Sequence, residues 1–193
     1  MARLSLIDPG KTDGEVAKAF ASMPVQLNIF RMMAHAETCM IPQMRLGGAI
    51  LAKQDLTHAH RELLILLVAK IEGGEYEWRQ HVPIAEGVGL LQEKITAIEF
   101  LDLSATCFDA AELALLAFGR QVIENVRVED AVFFKMKEHF SEQEIVEAIL
   151  AIGFYMTMAR LTEATQTDLD PAAGMSVFDN AQSAASGSGG EAL

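Results

Sequence analysis

From Leu63 to Ala69 the chain reads Leu-Leu-Ile-Leu-Leu-Val-Ala, an unbroken apolar run that leaves no face for water. A helix that is hydrophobic all round must be enclosed by other elements or by a second subunit, so this segment is the expected centre of the fold. It opens on Arg61-Glu62 and is followed closely by Gly73-Gly74, where the backbone is free to turn tightly. Ile149-Leu150-Ala151-Ile152-Gly153-Phe154-Tyr155-Met156 has the same character. Two such helices in 193 residues point to an oligomer, because a small bundle has limited interior in which to bury both.

Helical punctuation recurs around these runs, and no sustained two-residue alternation is bounded by Asn-Gly or Asp-Gly turns. The predicted fold is therefore all-α. Thr12 to Glu15, Asp109 to Glu112 and Ser141 to Glu144 each have the spacing of a capping box, in which the cap oxygen accepts an N3 amide and the N3 carboxylate reaches back. Helices are predicted over 13–22, 25–35, 38–53, 58–72, 75–88, 91–100, 109–124, 129–139 and 141–166. Gly87 to Gly89 supplies a left-handed stop for the fifth of these, with a kink expected at Pro83. A single domain over 1–171 is expected, followed over 172–193 by an Ala/Ser/Gly-rich tail, flexible unless a neighbour pins it.

Acidic residues outnumber basic ones 27 to 15, for a formal net charge of −12. That charge repels phosphate backbones and anionic lipid headgroups, so neither nucleic acid nor membrane is an expected partner. No apolar run approaches the ~18–20 residues of a membrane span and no leader pattern opens the chain; the expected location is cytoplasmic. An anionic ligand would need local cations, and Arg31, Arg45, Arg61, Arg79 and Arg160 are the arginines beside apolar segments. Cys39 and Cys107 lie far apart and form no C-x-x-C pair, so they are expected as reduced, buried thiols. Phosphate-binding loops, dinucleotide fingerprints and a Gly-x-Ser-x-Gly elbow are missing, which removes nucleotide cofactors and serine hydrolysis.

The chemistry concentrates in Glu75-Tyr76-Glu77-Trp78-Arg79-Gln80-His81. On a helix Glu77 and His81 are four apart and share a face, so a carboxylate can orient the imidazole. Across the turn at Gly73-Gly74, Glu62 has a second route to the same ring. Histidine accepts and donates protons near neutral pH, which makes His81 a candidate general acid/base. The competing interpretation is a solvated Glu-His pair with Glu62 merely complementing a helix dipole. His58-Ala59-His60 raises a metal possibility, but the two rings point apart on a helix and the spacing fits no zinc pattern; a solvated helix entrance is expected there.

Taken together, Arg61-Glu62-Leu63-Leu64-Ile65-Leu66, Gly73-Gly74-Glu75-Tyr76-Glu77-Trp78-Arg79-Gln80-His81 and Gly89-Leu90 resemble the carboxymuconolactone decarboxylase family and its AhpD-like alkylhydroperoxidase relatives; Gly153 to Arg160 looks like that family's closing helix. The resemblance implies an AhpD-like helical bundle assembled as a homotrimer or homohexamer, with pockets near subunit contacts. In the peroxidase branch a glutamate is followed at fixed spacing by two cysteines and a histidine. Glu62 and His81 match that pattern, while Gly74 and Glu77 stand at the cysteine positions. Thiol exchange needs a thiolate and a resolving partner, so the resemblance implies the decarboxylase-like branch, with hydroperoxide reduction disfavoured. The implied activity is a cofactor-free carboxy-lyase acting on a lactone or aromatic-derived carboxylic acid. His81 would deliver the proton, Glu62 orient or relay, Glu77 support, Tyr76 and Trp78 contact a ring, and Arg45 hold the carboxylate. A silent helical oligomer that binds an aromatic ligand is the alternative. Thr57, His58, Ala59 and His60 replace the proline and arginine usual before Arg61 in the decarboxylases, so a decarboxylase or isomerase acting on another aromatic-derived carboxylic acid fits as well as one acting on the lactone.

Overall fold

The computed structural model describes residues 2–23 and 25–187. Among them the only regular structure is helical: a 3-10 turn at Pro9–Lys11, then α1 (Gly14–Ser22), α2 (Asn28–Met33), α3 (Glu37–Ala52), α4 (His58–Glu72), α5 (Glu75–Gly87), α6 (Gln92–Glu99), α7 (Ala110–Asn125), α8 (Asp130–Lys137), α9 (Glu142–Thr165) and α10 (Met175–Gly187). The expected all-α architecture holds, and the first nine helices fall where periodicity and capping put them.

α4 is the axis of the bundle. It packs against α9, α5, α7 and α6, and Leu63 through Ala69 are at most 2% exposed. Its all-apolar character is thus met inside one subunit and carries no information about assembly. α9 differs: Ile145, Ala148, Ala151, Ile152, Tyr155 and Met158 turn inward, while Val146, Ile149 and Leu150 stay exposed. By length and hydropathy α9 is the one helix among the described residues able to cross a membrane; here it is a core helix against α4 and α5.

Two of the three capping boxes form as expected, at Asp109/Glu112 and Ser141/Glu144. Thr12 caps nothing: its hydroxyl turns back to the Pro9 carbonyl, and Asp13 takes the N-cap position of α1 without a side-chain bond. α4 starts instead on an unanticipated cap, Thr57, whose hydroxyl accepts the His60 amide. α5 passes through Pro83 and stops as predicted, with Gly89 at φ 93° and the Leu90 and Gly89 amides donating to the Ala85 and Glu86 carbonyls. This is the paired 6→1 and 5→2 closure of a Schellman motif.

The C-terminal segment corrects the expected tail. Residues 175–187 form α10, which lies along α3 and touches α5. Phe178 is 7% exposed, with its ring edge-on to His58 and over the Arg61 guanidinium at 5.5 Å. A few apolar side chains at helical spacing, Val177, Phe178 and Ala181, were enough to dock a sequence dominated by small residues; the end of the expected tail, 188–193, lies outside the described residues.

The cysteines also differ from expectation: Cys39 is exposed on α3 and Cys107 is half-buried.

Candidate active site

The site is built where the first turn of α4 meets the middle of α5. Gly73, at φ 71°, closes α4 with a left-handed cap, and the Gly74 amide reaches back to the Ala69 carbonyl. α5 therefore doubles back along α4, and His81 arrives beside Glu62.

Arg61 and Glu62 are both fully buried. The guanidinium donates through Nη1 to the Leu51 carbonyl at 2.9 Å and to His58 Nδ1 at 2.8 Å, and through Nε and Nη2 to Glu62 Oε1 at 3.3 and 3.2 Å. Glu62 Oε2 faces His81 Nδ1 at 2.8 Å. With Glu62 accepting, Nδ1 carries the ring proton in neutral His81, and Nε2 presents its lone pair elsewhere. Among the described residues Nε2 has no hydrogen-bond partner. The Tyr155 ring stands edge-on to the imidazole, centroids 4.8 Å apart, and walls it on one side.

His81 lines a cavity of about 860 Å³ formed by α1, α2, α3, α5, α9 and α10. Its lining is mostly apolar, with Met33, Met44, Phe154 and Met158 among the larger side chains, and Tyr76, Glu77 and Tyr155 beside the histidine. Arg45 reaches it from α3 together with Lys18 and Lys53, all three exposed.

The predicted residues divide accordingly. Glu62, Glu77 and His81 converge, and Tyr76 and Arg45 line the same cavity. Tyr76 offers only its ring, because its hydroxyl accepts from the Ile29 amide and donates to Asp170. Trp78 does not line the cavity; it lies off the α5 face that carries Glu77 and His81, packs on the main core and sits under Lys70 Nζ at 4.8 Å. His58 and His60 are half-buried rather than solvated, each with its pKa lowered chiefly by desolvation; no group of three metal-ligating side chains occurs among the described residues.

Glu77 does not orient His81. Both its oxygens lie 3.1 Å from Thr162 Oγ1, which is also within reach of the Ala159 carbonyl at 3.1 Å. Burial pushes the Glu77 pKa up to about 7, against the lowering effects of nearby hydrogen bonds and of His81. Thr162 has one proton, so it donates to an ionised Glu77 or turns to the helix carbonyl and accepts from a protonated one.

The folded protein thus holds the Glu77 proton over a range in which the unfolded chain, at 4.5, has released it. Its contribution to stability is most favourable below pH 4.5 and declines as pH rises to about 7, by about 3 kcal/mol in all. Glu77→Gln is expected to remove that slope. Urea unfolding followed from pH 4.5 to 8 would show the variant gaining steadily on wild type; parallel curves would mean that the carboxyl ionises normally.

Gly74 explains why no side chain stands at the first of the two thiol positions. A Cβ there would lie 2.7 Å from Glu77 Oε2 and 3.0 Å from Ala159 Cβ. The glycine and the glutamate fit as a pair. Gly74→Ala is expected to destabilise by about 1–3 kcal/mol, most of it recovered when Glu77 is also reduced to alanine; additive losses in that double-mutant cycle would sink the steric coupling.

Tyr155 and Thr162 were not singled out in the sequence. They are seven residues apart on α9, two turns along one face, and that spacing of hydroxyls inside an apolar run was the available signal.

The profile of the carboxymuconolactone decarboxylase family matches residues 42–121, from mid-α3 to α7, which includes Glu62, Glu77 and His81. Solved structures extend the likeness over most of the chain. A peroxidase-related protein with an alkylhydroperoxidase AhpD core, from Ralstonia eutropha, aligns with TM-score 0.76 at 16% identity, covering 88% of this chain and 92% of its own. The chain has the AhpD-like helical fold, and its residues 42–121 are similar to the carboxymuconolactone decarboxylase family. A protein of unknown function from Agrobacterium tumefaciens aligns with TM-score 0.65 at 24% identity over 71% of this chain and 94% of its own. The debrominase Bmp8, in a cysteine-to-alanine variant bound to 2,3,4-tribromopyrrole, aligns with TM-score 0.72 at 16% identity over 94% and 100%. At these identities the structural likeness establishes the fold alone. No functionally curated protein matches the chain. Tyr155 and Thr162 come from α9, outside the segment that the family profile matches.

Proposed function

We propose that this protein is a cofactor-independent carboxy-lyase that removes carbon dioxide from a lactone or aromatic-derived carboxylic acid, with His81 carrying the proton. The observation that supports this most is the His81 imidazole itself, held at Nδ1 by buried Glu62, with an Nε2 that has no partner among the described residues, on a residue lining a large apolar cavity. As carbon dioxide leaves, its bonding electrons delocalise into the conjugated carbonyl, and the protonated Nε2 delivers a proton to carbon. Glu62 stabilises the imidazolium through Nδ1, and Arg61 holds Glu62 in place. Glu77, which carries a proton up to about pH 7, is available to recharge the ring. The cavity's low polarity favours charge dispersal in the transition state over the localised carboxylate of the ground state.

Arg45 is assigned to the substrate carboxylate, because a guanidinium pairs with it bidentately and this one lines the cavity. A planar ring is a reasonable guest, since the debrominase of the same fold holds a tribromopyrrole. Hydroperoxide reduction lacks support: positions 74 and 77 carry no thiol, and neither Cys39 nor Cys107 lines the cavity. Assembly into a trimer or hexamer, through the exposed stripe of α9, belongs to the same proposal.

The test is carbon dioxide release and solvent-deuterium incorporation over a panel of lactone and aromatic-derived acids. Turnover of one subset, with a single deuteron placed on the carbon that lost the carboxyl group or on its vinylogous partner, is the expected result. Tight binding of these acids with no carbon dioxide from any of them would leave a silent ligand-binding oligomer in its place.

A further inference from the structure

Tyr155 is 5% exposed, lines the cavity and stands edge-on to the ring of His81, yet its hydroxyl has no hydrogen-bond partner among the described residues. The other tyrosine of the chain, Tyr76, shows the usual state of a buried phenol, with one bond accepted and one donated. The hydroxyl is not among the fully buried unpaired atoms of the described residues and so keeps some exposure; on a residue that lines the cavity, its hydrogen-bond partner comes from what occupies that space, water or ligand. Burial and the nearby carboxylates hold its pKa well above the ordinary value, so the phenol keeps its proton and acts as a donor. One wall of the cavity therefore offers a hydrogen-bond donor beside a base, a pair suited to a carbonyl oxygen and the acidic C–H next to it.

We propose that this cavity enolises carbonyl compounds, with His81 Nε2 taking the proton and Tyr155 holding the oxyanion, and that this activity needs no carboxylate on the ligand. The α C–H bond breaks and its proton passes to Nε2. The electron pair forms the carbon–carbon double bond, leaving negative charge on the carbonyl oxygen, which accepts the Tyr155 O–H. Return of the proton to the α carbon regenerates the ligand; return to the γ carbon of a β,γ-unsaturated ligand shifts its double bond. No oxidant, reductant or second substrate is consumed. The proposal rests on His81 being the proton carrier described above, and it assigns the same site a second class of substrate, enolisable lactones and ketones without an acid group. Tyr155 would also hold the dienolate formed when carbon dioxide is lost.

The experiment follows proton NMR of 5-methyl-2(3H)-furanone, a β,γ-unsaturated lactone, in deuterium oxide with the full-length protein, beside the carbon dioxide assay on the acid panel. Deuterium enters the lactone and its double bond migrates above the buffer rate, Tyr155→Phe slows this roughly 10²–10³-fold, and the phenylalanine ring keeps the contact with His81, so the melting temperature is unchanged. Exchange without carbon dioxide release from any acid would leave this proposal standing while the carboxy-lyase assignment fails. Carbon dioxide release with no lactone exchange, or exchange that Tyr155→Phe leaves untouched, would overturn it and spare the carboxy-lyase.

Discussion

His81→Asn is expected to lower kcat by about 10²–10⁴-fold, the usual contribution of a positioned acid/base, while leaving the fold intact. The asparagine amide can replace Nδ1 as donor to Glu62 Oε2, a bond of 2.8 Å in the native protein, so the buried carboxylate keeps its partner. What disappears is the titratable nitrogen on the cavity side. The cavity, about 860 Å³, is roomy enough to admit free imidazole, and partial rescue by added imidazole is the expected signature of a lost proton carrier. Steady-state rates with circular dichroism melts on the same samples decide the matter. A variant that turns over like wild type would remove His81 from the chemistry.

Glu62→Ala is expected to show the largest loss of stability among single substitutions at the site, about 3–5 kcal/mol. Arg61 would then be a guanidinium with no solvent exposure and no counter-charge, left with a backbone carbonyl, a neutral imidazole and the ring of Phe178. The penalty is that of an orphaned buried charge, so it should shrink when Arg61 is replaced as well. Urea unfolding of Glu62→Ala and of Arg61→Met/Glu62→Ala provides the comparison: the double variant is expected to be the more stable of the two. A single variant within about 1 kcal/mol of wild type would show that water reaches Arg61 and that the pair is not a closed unit.

The helices could be read from the chain because their signals are local. Apolar residues at helical spacing, cap side chains and terminal glycines each act within a turn or two, and nine helices were legible on that basis. Thr12 failed as a cap because serviceable cap chemistry also suits the turn before it, where its hydroxyl found the Pro9 carbonyl. α10 was missed because its composition is that of a linker; its stability comes from Phe178 meeting Arg61 and His58, neighbours more than a hundred residues away in sequence. Trp78 was misplaced for a related reason. A spacing of three from His81 brings two side chains near one another on a helix, but the cavity accepts only the face holding Tyr76, Glu77, His81 and Ile84.

At the site, the sequence by itself determined the ingredients: Glu62, Glu77 and His81 on two helices joined by a glycine pair, with no thiols at positions 74 and 77. Which carboxylate orients the histidine was decided only by the tertiary structure. The tight reversal at Gly73 brings Glu62 onto Nδ1, while α9 draws Glu77 away to Thr162. Both carboxylates satisfy the local rules, and the choice between them depends on distances between helices that spacing along one helix does not encode. The same holds for Tyr155, one more residue in an apolar run until packing sets its ring against the imidazole and leaves its hydroxyl without a partner among the described residues.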